Sequence, residues 1–382
     1  MINEVEQMVF CISKIKFIAL LAAIIIFAQG CQNQLSGEAT ADLSPIKIGS
    51  ILILTGEGAA WGNAERNGID MAIEDINAKG GIGGRMLTVD HQDDKSDPKL
   101  ALDAYHKFVD VDNTKIIIGT TWSRTGLPLA PLAEKDKTLM ISPSLGVKEF
   151  NEQGNFTLNT WPHDYLLSES LAEMMFKEGH RKVAVIGAKE VWTEDQTKSF
   201  KARFELLGGN VSLLLEPDPS DRDLRSEALK VKAMRGLDAI VLTNGVLGIG
   251  PVTAKRLKEV GVDLPLFSLT LDNNIIKAAG EFYEGMVFPT FLTPTKDFEV
   301  KYKTKFGIEV DIGADSAYDA VMMVKDAIEK TGSTDRLALQ SYLNRIREFQ
   351  GESGLLISDG KGGFTKQPKV MKIVSGTAVQ IV

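Results

Sequence analysis

Five short stretches of this 382-residue chain gather side chains suited to holding a small polar molecule. Thr55–Gly62 with Trp61 and Gly119–Gly126 with Thr121, Trp122 and Ser123 do so by residue type; Pro143–Gly146 with Ser144, Leu145 and Gly146, Ala188–Thr193 with Trp192, and Thr270–Asn274 with Asp272 follow expected strand ends. Small residues let backbone approach a ligand, and hydroxyl groups offer it hydrogen bonds. Indole rings supply broad apolar walls. Three of the stretches have a plainer reading beside this one. Trp61 is either a ligand wall or a plug over the core, Ser123 or Thr125 caps a helix, and Asp272 caps the short helix 273–279. The chemistry implied is non-covalent. The chain has no G-x-S-x-G motif, phosphate loop or ligand-spaced metal set, and no convincing nucleophile–base arrangement. Its only cysteines are Cys11 and Cys31. His91, His106, His163 and His180 are scattered and read as solvent-facing. No enzymatic activity and no cofactor are expected. Asp90, Asp93, Asp94 and Asp97 lack EF-hand spacing and read as a solvated acidic loop. A net charge of −8 gives nucleic-acid binding no electrostatic support.

The elements that position these stretches follow one plan. Ile46–Leu54 is a near-continuous apolar run, as expected of a strand covered on both faces. Ile69, Ala72, Ile73 and Ile76 recur at i, i+3, i+4 and i+7, one stripe of a helix starting near Asn63. Lys79-Gly80-Gly81 stops that helix, and Met86–Asp90 is the next strand. A strand–helix–strand unit makes the two strands parallel. Asp97-Pro98 caps a helix whose stripe is Ala101, Ala104, Tyr105 and Phe108. Strands are expected at 115–118 and 138–142. The pattern breaks at Trp161-Pro162-His163-Asp164, where Asp164 caps a helix, and restarts with strands at 182–187, 211–215, 238–243 and 265–269. Helices are expected near 194–207, 221–235 and 251–260.

The expected architecture is α/β: two Rossmann-like lobes with parallel sheets flanked by helices, joined by three crossover segments. Residues 46–160 with 289–350 form lobe one, and 161–288 with 351–382 form lobe two. Gly285–Pro289 and Gln350–Ser358 read as the second and third crossovers. In such sheets ligands bind at the carboxyl ends of strands, beside helix N-termini that favour a carboxylate or carbonyl oxygen.

The early strand, Trp61-Gly62, Asn67-Gly68, Ala72-Ile73-Glu74-Asp75-Ile76-Asn77, the turn Gly80–Gly84, Asp93-Asp94 and Asp97-Pro98 together resemble the solute receptors of ABC importers of the branched-chain amino acid type, the type I periplasmic binding proteins. Ala317-Tyr318-Asp319-Ala320 matches a family signature, although core packing by Tyr318 is its simpler explanation. The resemblance implies that a solute lies in the interlobe cleft and is held by hinge closure, and it implies the role of the stretches 143–146, 188–193 and 270–274 in holding it. It also implies permease subunits in the membrane as partners, and a monomeric receptor. A ligand sensor of the same fold, acting on a signalling partner without import, is the alternative. Ser123 matches a serine that contacts a ligand carboxylate, and Trp192 stands where relatives carry an aromatic that packs on the ligand. Asp272 is the carboxylate nearest to the acid that faces a ligand ammonium. Gly146 replaces a hydroxyl residue and Leu145 a smaller one.

Lys14 and Lys16 precede the apolar run Phe17–Phe27, then Ala28-Gln29-Gly30-Cys31 and a polar tether from Gln32 to Ser44. This pattern resembles a bacterial lipoprotein signal spanning 1–30, with a lipid on Cys31 anchoring an extracytoplasmic protein to the membrane. An ordinary secretory signal cleaved after Ala41 is the alternative.

Overall fold

The structure, a computed structural model, describes residues 43–381. Cys31 and the signal segment lie outside the described residues. Among the described residues no helix is long and apolar enough to cross a membrane.

The elements run β1 (Ile46–Leu52), α1 (Ala59–Ala78), β2 (Leu87–Asp93), α2 (Pro98–His106), β3 (Ile116–Gly119), α3 (Ser123–Gly126), α4 (Ala130–Asp136), β4 (Leu139–Ser142) and β5 (Thr157–Asn159). Then come α5 (Tyr165–Lys177), β6 (Lys182–Ile186), α6 (Val191–Leu206), β7 (Asn210–Leu215), α7 (Arg225–Ala233), β8 (Ala239–Leu242), α8 (Ile249–Glu259), β9 (Leu266–Ser268), α9 (Asn273–Ala279) and β10 (Val287–Thr290). The chain closes with α10 (Lys296–Phe306), α11 (Ala314–Thr331), α12 (Arg336–Leu343), β11 (Glu348–Gly351), β12 (Gly354–Ser358), β13 (Phe364–Thr365), β14 (Lys369–Val374) and β15 (Thr377–Gln380).

Strands β1–β5 make one all-parallel sheet in the order β2-β1-β3-β4-β5. Its apolar strands are buried on both faces, as a parallel sheet between helices requires. Ile46, Ile48 and Leu52 pack with Ile69, Ala72, Ile73 and Ile76 of α1 and with Val321 and Val324 of α11. On the other face Ile51 meets Ala101, Ala104, Tyr105 and Phe108. The second sheet runs β15-β14-β10-β9-β8-β6-β7, with β14 and β15 antiparallel at one edge. The fold is therefore the expected two-lobed α/β arrangement.

The crossovers fall later than the sequence pattern placed two of them. Residues 287–290 pair with β9 and β14 inside the second sheet, so the chain crosses back only after Thr290. The stretch 350–358 forms a hairpin in the small sheet β11-β12-β13. That hairpin is fixed to α11, because both oxygens of Asp319 accept backbone N–H groups, from Glu352 at 2.7 Å and Ser353 at 2.9 Å. The third crossing is the short link after β13. There Lys366 Nζ donates to the Ser353 carbonyl at 2.9 Å, which also accepts from Thr293 Oγ1 at 2.8 Å. Two crossings thus share one acceptor, and in the first, Thr160 Oγ1 donates to Ser316 O at 2.8 Å.

Three local expectations change. Helix α1 begins at Ala59, not Asn63, because Gly58 turns the chain in the left-handed region (φ 90°) and needs no side-chain cap. The acidic stretch is solvated only at Asp90 and Asp97, which are exposed. Asp93 accepts from Leu54 N, Thr55 Oγ1 and Lys95 N, and Asp94 is fully buried. Among the histidines, His163 is buried with Nε2 at 2.8 Å from Asn151 Oδ1, and His91 bridges Ser50 and Asp70.

Candidate functional site

Loops after β1, β3 and β4 of the first sheet meet loops after β6 and β8 of the second in one cleft. From the first lobe come Trp61, Thr121, Trp122, Ser123, Ser144 and Gly146; from the second come Glu190, Trp192, Val246 and Leu247. These positions lie at or just past the carboxyl ends of strands, where open α/β sheets place ligands. The free volume between the walls is about 20 Å³. That is room for about one water molecule, so an amino-acid-sized solute requires the lobes to part.

The first-lobe wall rests on a buried polar network. Gly62 sits so close to β1 that a Cβ there would lie 1.9 Å from the Ile53 carbonyl oxygen. This contact locks the start of α1 and brings Glu65 under the loops. Ile53 N donates to Thr121 Oγ1 at 3.1 Å, and that hydroxyl donates to Glu65 Oε2 at 2.6 Å. Ser144 Oγ lies 2.7 Å from Thr121 O and also hydrogen-bonds Glu65 Oε1. A serine has one proton, and the Thr121 carbonyl can only accept, so the Ser144 proton goes there. The proton between Ser144 and Glu65 then belongs to Glu65. Burial accordingly pushes the Glu65 carboxyl up to about 8, against the pull of the Ser144 and Thr121 hydroxyls. Glu65 is neutral at pH 7 and serves as a donor. Ser123 is 3% exposed, and its hydroxyl has no hydrogen-bond partner among the described residues.

Tryptophans 61 and 122 meet edge to face, with ring centroids 6.2 Å apart. The Trp61 indole donates across the cleft to Asp272 Oδ2 at 2.9 Å. A second bridge runs from Gly248 N to Glu57 Oε1 at 3.0 Å.

Trp192 lies in the first turn of α6, and its indole donates to Asp164 Oδ2 at 2.6 Å. Trp161 Nε1 takes Asp164 Oδ1 at 2.8 Å. Asp164 therefore makes no side-chain cap, contrary to expectation, although it occupies the position before α5. Burial raises its carboxyl to about 7 despite the two indole donors. The glycine at 146 has a physical cause here. A Cβ at Gly146 would stand 1.8 Å from Asp164 Oδ2. The room a larger side chain would fill is taken by this carboxylate.

Seven of the nine sequence-selected binding residues therefore line one cleft. Leu145 does not: it is fully buried, in the apolar core. Asp272 is not in the lining either. It caps α9, with Oδ1 accepting from Ile275 N at 2.7 Å, and spends Oδ2 on Trp61. Sequence reasoning pointed to the stretches 188–193 and 244–248 without singling out Glu190, Val246 or Leu247, and it missed Glu65 beneath the first-lobe wall. Glu190 lies within the strand-end stretch 188–193, and that position was its signal.

Residues 45–376 match the family model described as periplasmic binding protein. The chain belongs to this family of non-enzymatic binding proteins, and within it to the solute-binding proteins of ABC transporters. It is 26% identical over 332 residues to the Leu/Ile/Val-binding protein BraC3 of Rhizobium johnstonii, covering 84% of this chain and 89% of the relative. It is 28% identical over 330 residues to the leucine-, isoleucine-, valine-, threonine- and alanine-binding protein of Pseudomonas aeruginosa, covering 83% and 86%. The crystal structure of the leucine binding protein LivK from Thermotoga maritima superposes with a TM-score of 0.83 at 26% identity, covering 88% of this chain and 98% of that one.

Proposed function

We propose that this protein is an extracytoplasmic receptor that presents a small carboxylate-bearing solute, of the branched-chain amino acid kind, to the permease of an ABC importer. Lipid on Cys31 holds it at the membrane. The observation that carries the reading is the Ser123 hydroxyl, which lines a cleft built from both lobes and has no hydrogen-bond partner among the described residues. A carboxylate accepts from such a hydroxyl, and the neutral Glu65 beneath adds no opposing charge. Neighbouring indoles and Leu247 suit an apolar side chain. The solute enters while the lobes are apart, touches both, and favours the shut form, which the permease reads. Relatives named for leucine, isoleucine and valine support the solute class.

Thermal unfolding with and without L-leucine tests this. A ligand at 100 times its Kd stabilises by about 2.7 kcal/mol, a readily visible rise in Tm. In Ser123→Ala the affinity falls by about 1.5–3 kcal/mol, the range for a hydrogen bond to a charged group. No Tm shift with any aliphatic amino acid or carboxylate would remove the proposal.

A further inference from the structure

A zwitterionic solute needs an anionic partner as well as a carboxylate cradle. Of five acids at or near the cleft, three have both oxygens bonded and a fourth, Glu57, stands outside the lining. Both oxygens of Asp272 are taken, by Ile275 N and Trp61 Nε1. Both oxygens of Asp164 hold indole N–H groups. Glu65 is sealed under the first-lobe loops with both oxygens bonded. Glu57 is exposed, accepts from Gly248 N and does not line the cleft.

Glu190 differs. It lines the cleft from the second lobe and is only partly exposed. Its Oε2 accepts from Trp192 N at 3.0 Å and Thr193 N at 3.3 Å, which caps α6 and fixes the side chain's direction. Its Oε1 has no hydrogen-bond partner among the described residues. Burial raises the Glu190 carboxyl, the Thr193 and Trp192 N–H groups and the charge of Arg124 on the first lobe pull it back, and Glu194 adds to the rise. No ion pair joins Glu190 to Arg124 among the described residues.

Resting on the carboxylate reading above, we infer that Glu190 receives the ammonium group of the solute, in place of the expected Asp272, and makes the receptor specific for zwitterionic amino acids over simple carboxylic acids. Ser123 and Glu190 stand on opposite lobes, so one amino acid bridges them: carboxylate to the first, ammonium to the second. The arriving ammonium supplies the positive charge that a half-buried carboxylate lacks. An acid without that group engages only the first lobe.

The test uses the whole mature protein and two matched pairs, L-leucine with 4-methylpentanoate and L-phenylalanine with 3-phenylpropanoate. In wild type the better-bound amino acid exceeds its deaminated partner by about 10- to 100-fold in Kd, the range for one charged hydrogen bond. E190Q keeps an oxygen to cap α6, and it reduces that ratio to near one. S123A weakens both members of the pair. Equal losses for acid and amino acid in E190Q, with S123A still weakening both, overturn the role of Glu190 alone. A wild type that binds the deaminated acid as tightly as the amino acid overturns it as well. Absence of binding to all four compounds, with no effect of S123A, overturns the carboxylate reading and this inference together.

Discussion

The two walls of the cleft are built on different principles. On the first lobe, two indoles flank small and hydroxyl residues that sit over Glu65, where Thr121, Ser144 and Glu65 bond one another. Backbones there are in contact, as Gly62 against Ile53 shows. On the second lobe the wall is apolar, with Val246 and Leu247 from one loop and Trp192 from a helix start. Its polar content is one carboxylate, half used as a cap. The contrast teaches a division of work. A pre-set polar surface fixes the orientation of a guest at little entropic cost, while an apolar surface closes over whatever side chain protrudes.

If that division is right, the walls should differ in what they tolerate. The largest effect is expected at Gly62→Ala, whose new Cβ would press on a backbone carbonyl that cannot swing away. A loss of about 3 kcal/mol in chemical denaturation is expected. The matching change on the other lobe, Gly248→Ala, would meet only the tip of the Glu57 side chain at 3.3 Å. It should stay within about 0.5 kcal/mol, and comparable losses would erase the distinction.

Next come the indoles. Trp61→Ala and Trp192→Ala should each weaken solute binding by about 1–3 kcal/mol, measured by calorimetry. Trp61→Ala should also speed opening, since it cuts a bond between lobes, whereas Trp192→Ala cuts one to Asp164 at the hinge. Identical opening rates would show that the Asp272 contact does not couple the lobes.

The pH dependence of the first-lobe network is read as a slope, small between neighbouring pH values. Glu65 rises from 4.5 to about 8 on folding, so the folded state holds its proton more tightly than the unfolded chain. Its contribution is complete below about pH 4.5 and is lost as pH climbs through 8. Wild type should therefore lose up to about 1.4 kcal/mol per pH unit relative to Glu65→Gln within that window. Parallel stability curves for the two proteins would show that Glu65 keeps its ordinary acidity.

The sequence made the scaffold legible where burial is periodic. The apolar run at β1 and the stripe Ile69, Ala72, Ile73, Ile76 each have one geometric solution, and the structure contains it. Strand ends followed, and with them most of the cleft wall. What stayed hidden depends on contacts between distant residues. Glu65 reads as one more charged residue near a helix start, and only the meeting of α1 with the loops after β3 and β4 buries it. Asp164 has a good capping residue type in the right place, yet two tryptophans, 3 and 28 positions away, claim its oxygens. The crossover at 350–358 looked extended because it is extended. Pairing, which local pattern does not reveal, made it a hairpin.

The Trp61–Asp272 bond spans the gap without help from any guest. It lowers the energy of the shut shape by its own strength, so some idle receptors shut while empty. A membrane partner that senses the shut shape would register those as false arrivals. The contrast between loaded and idle signals is therefore set in part by how few such bonds span the gap, this one and that from Gly248 N to Glu57.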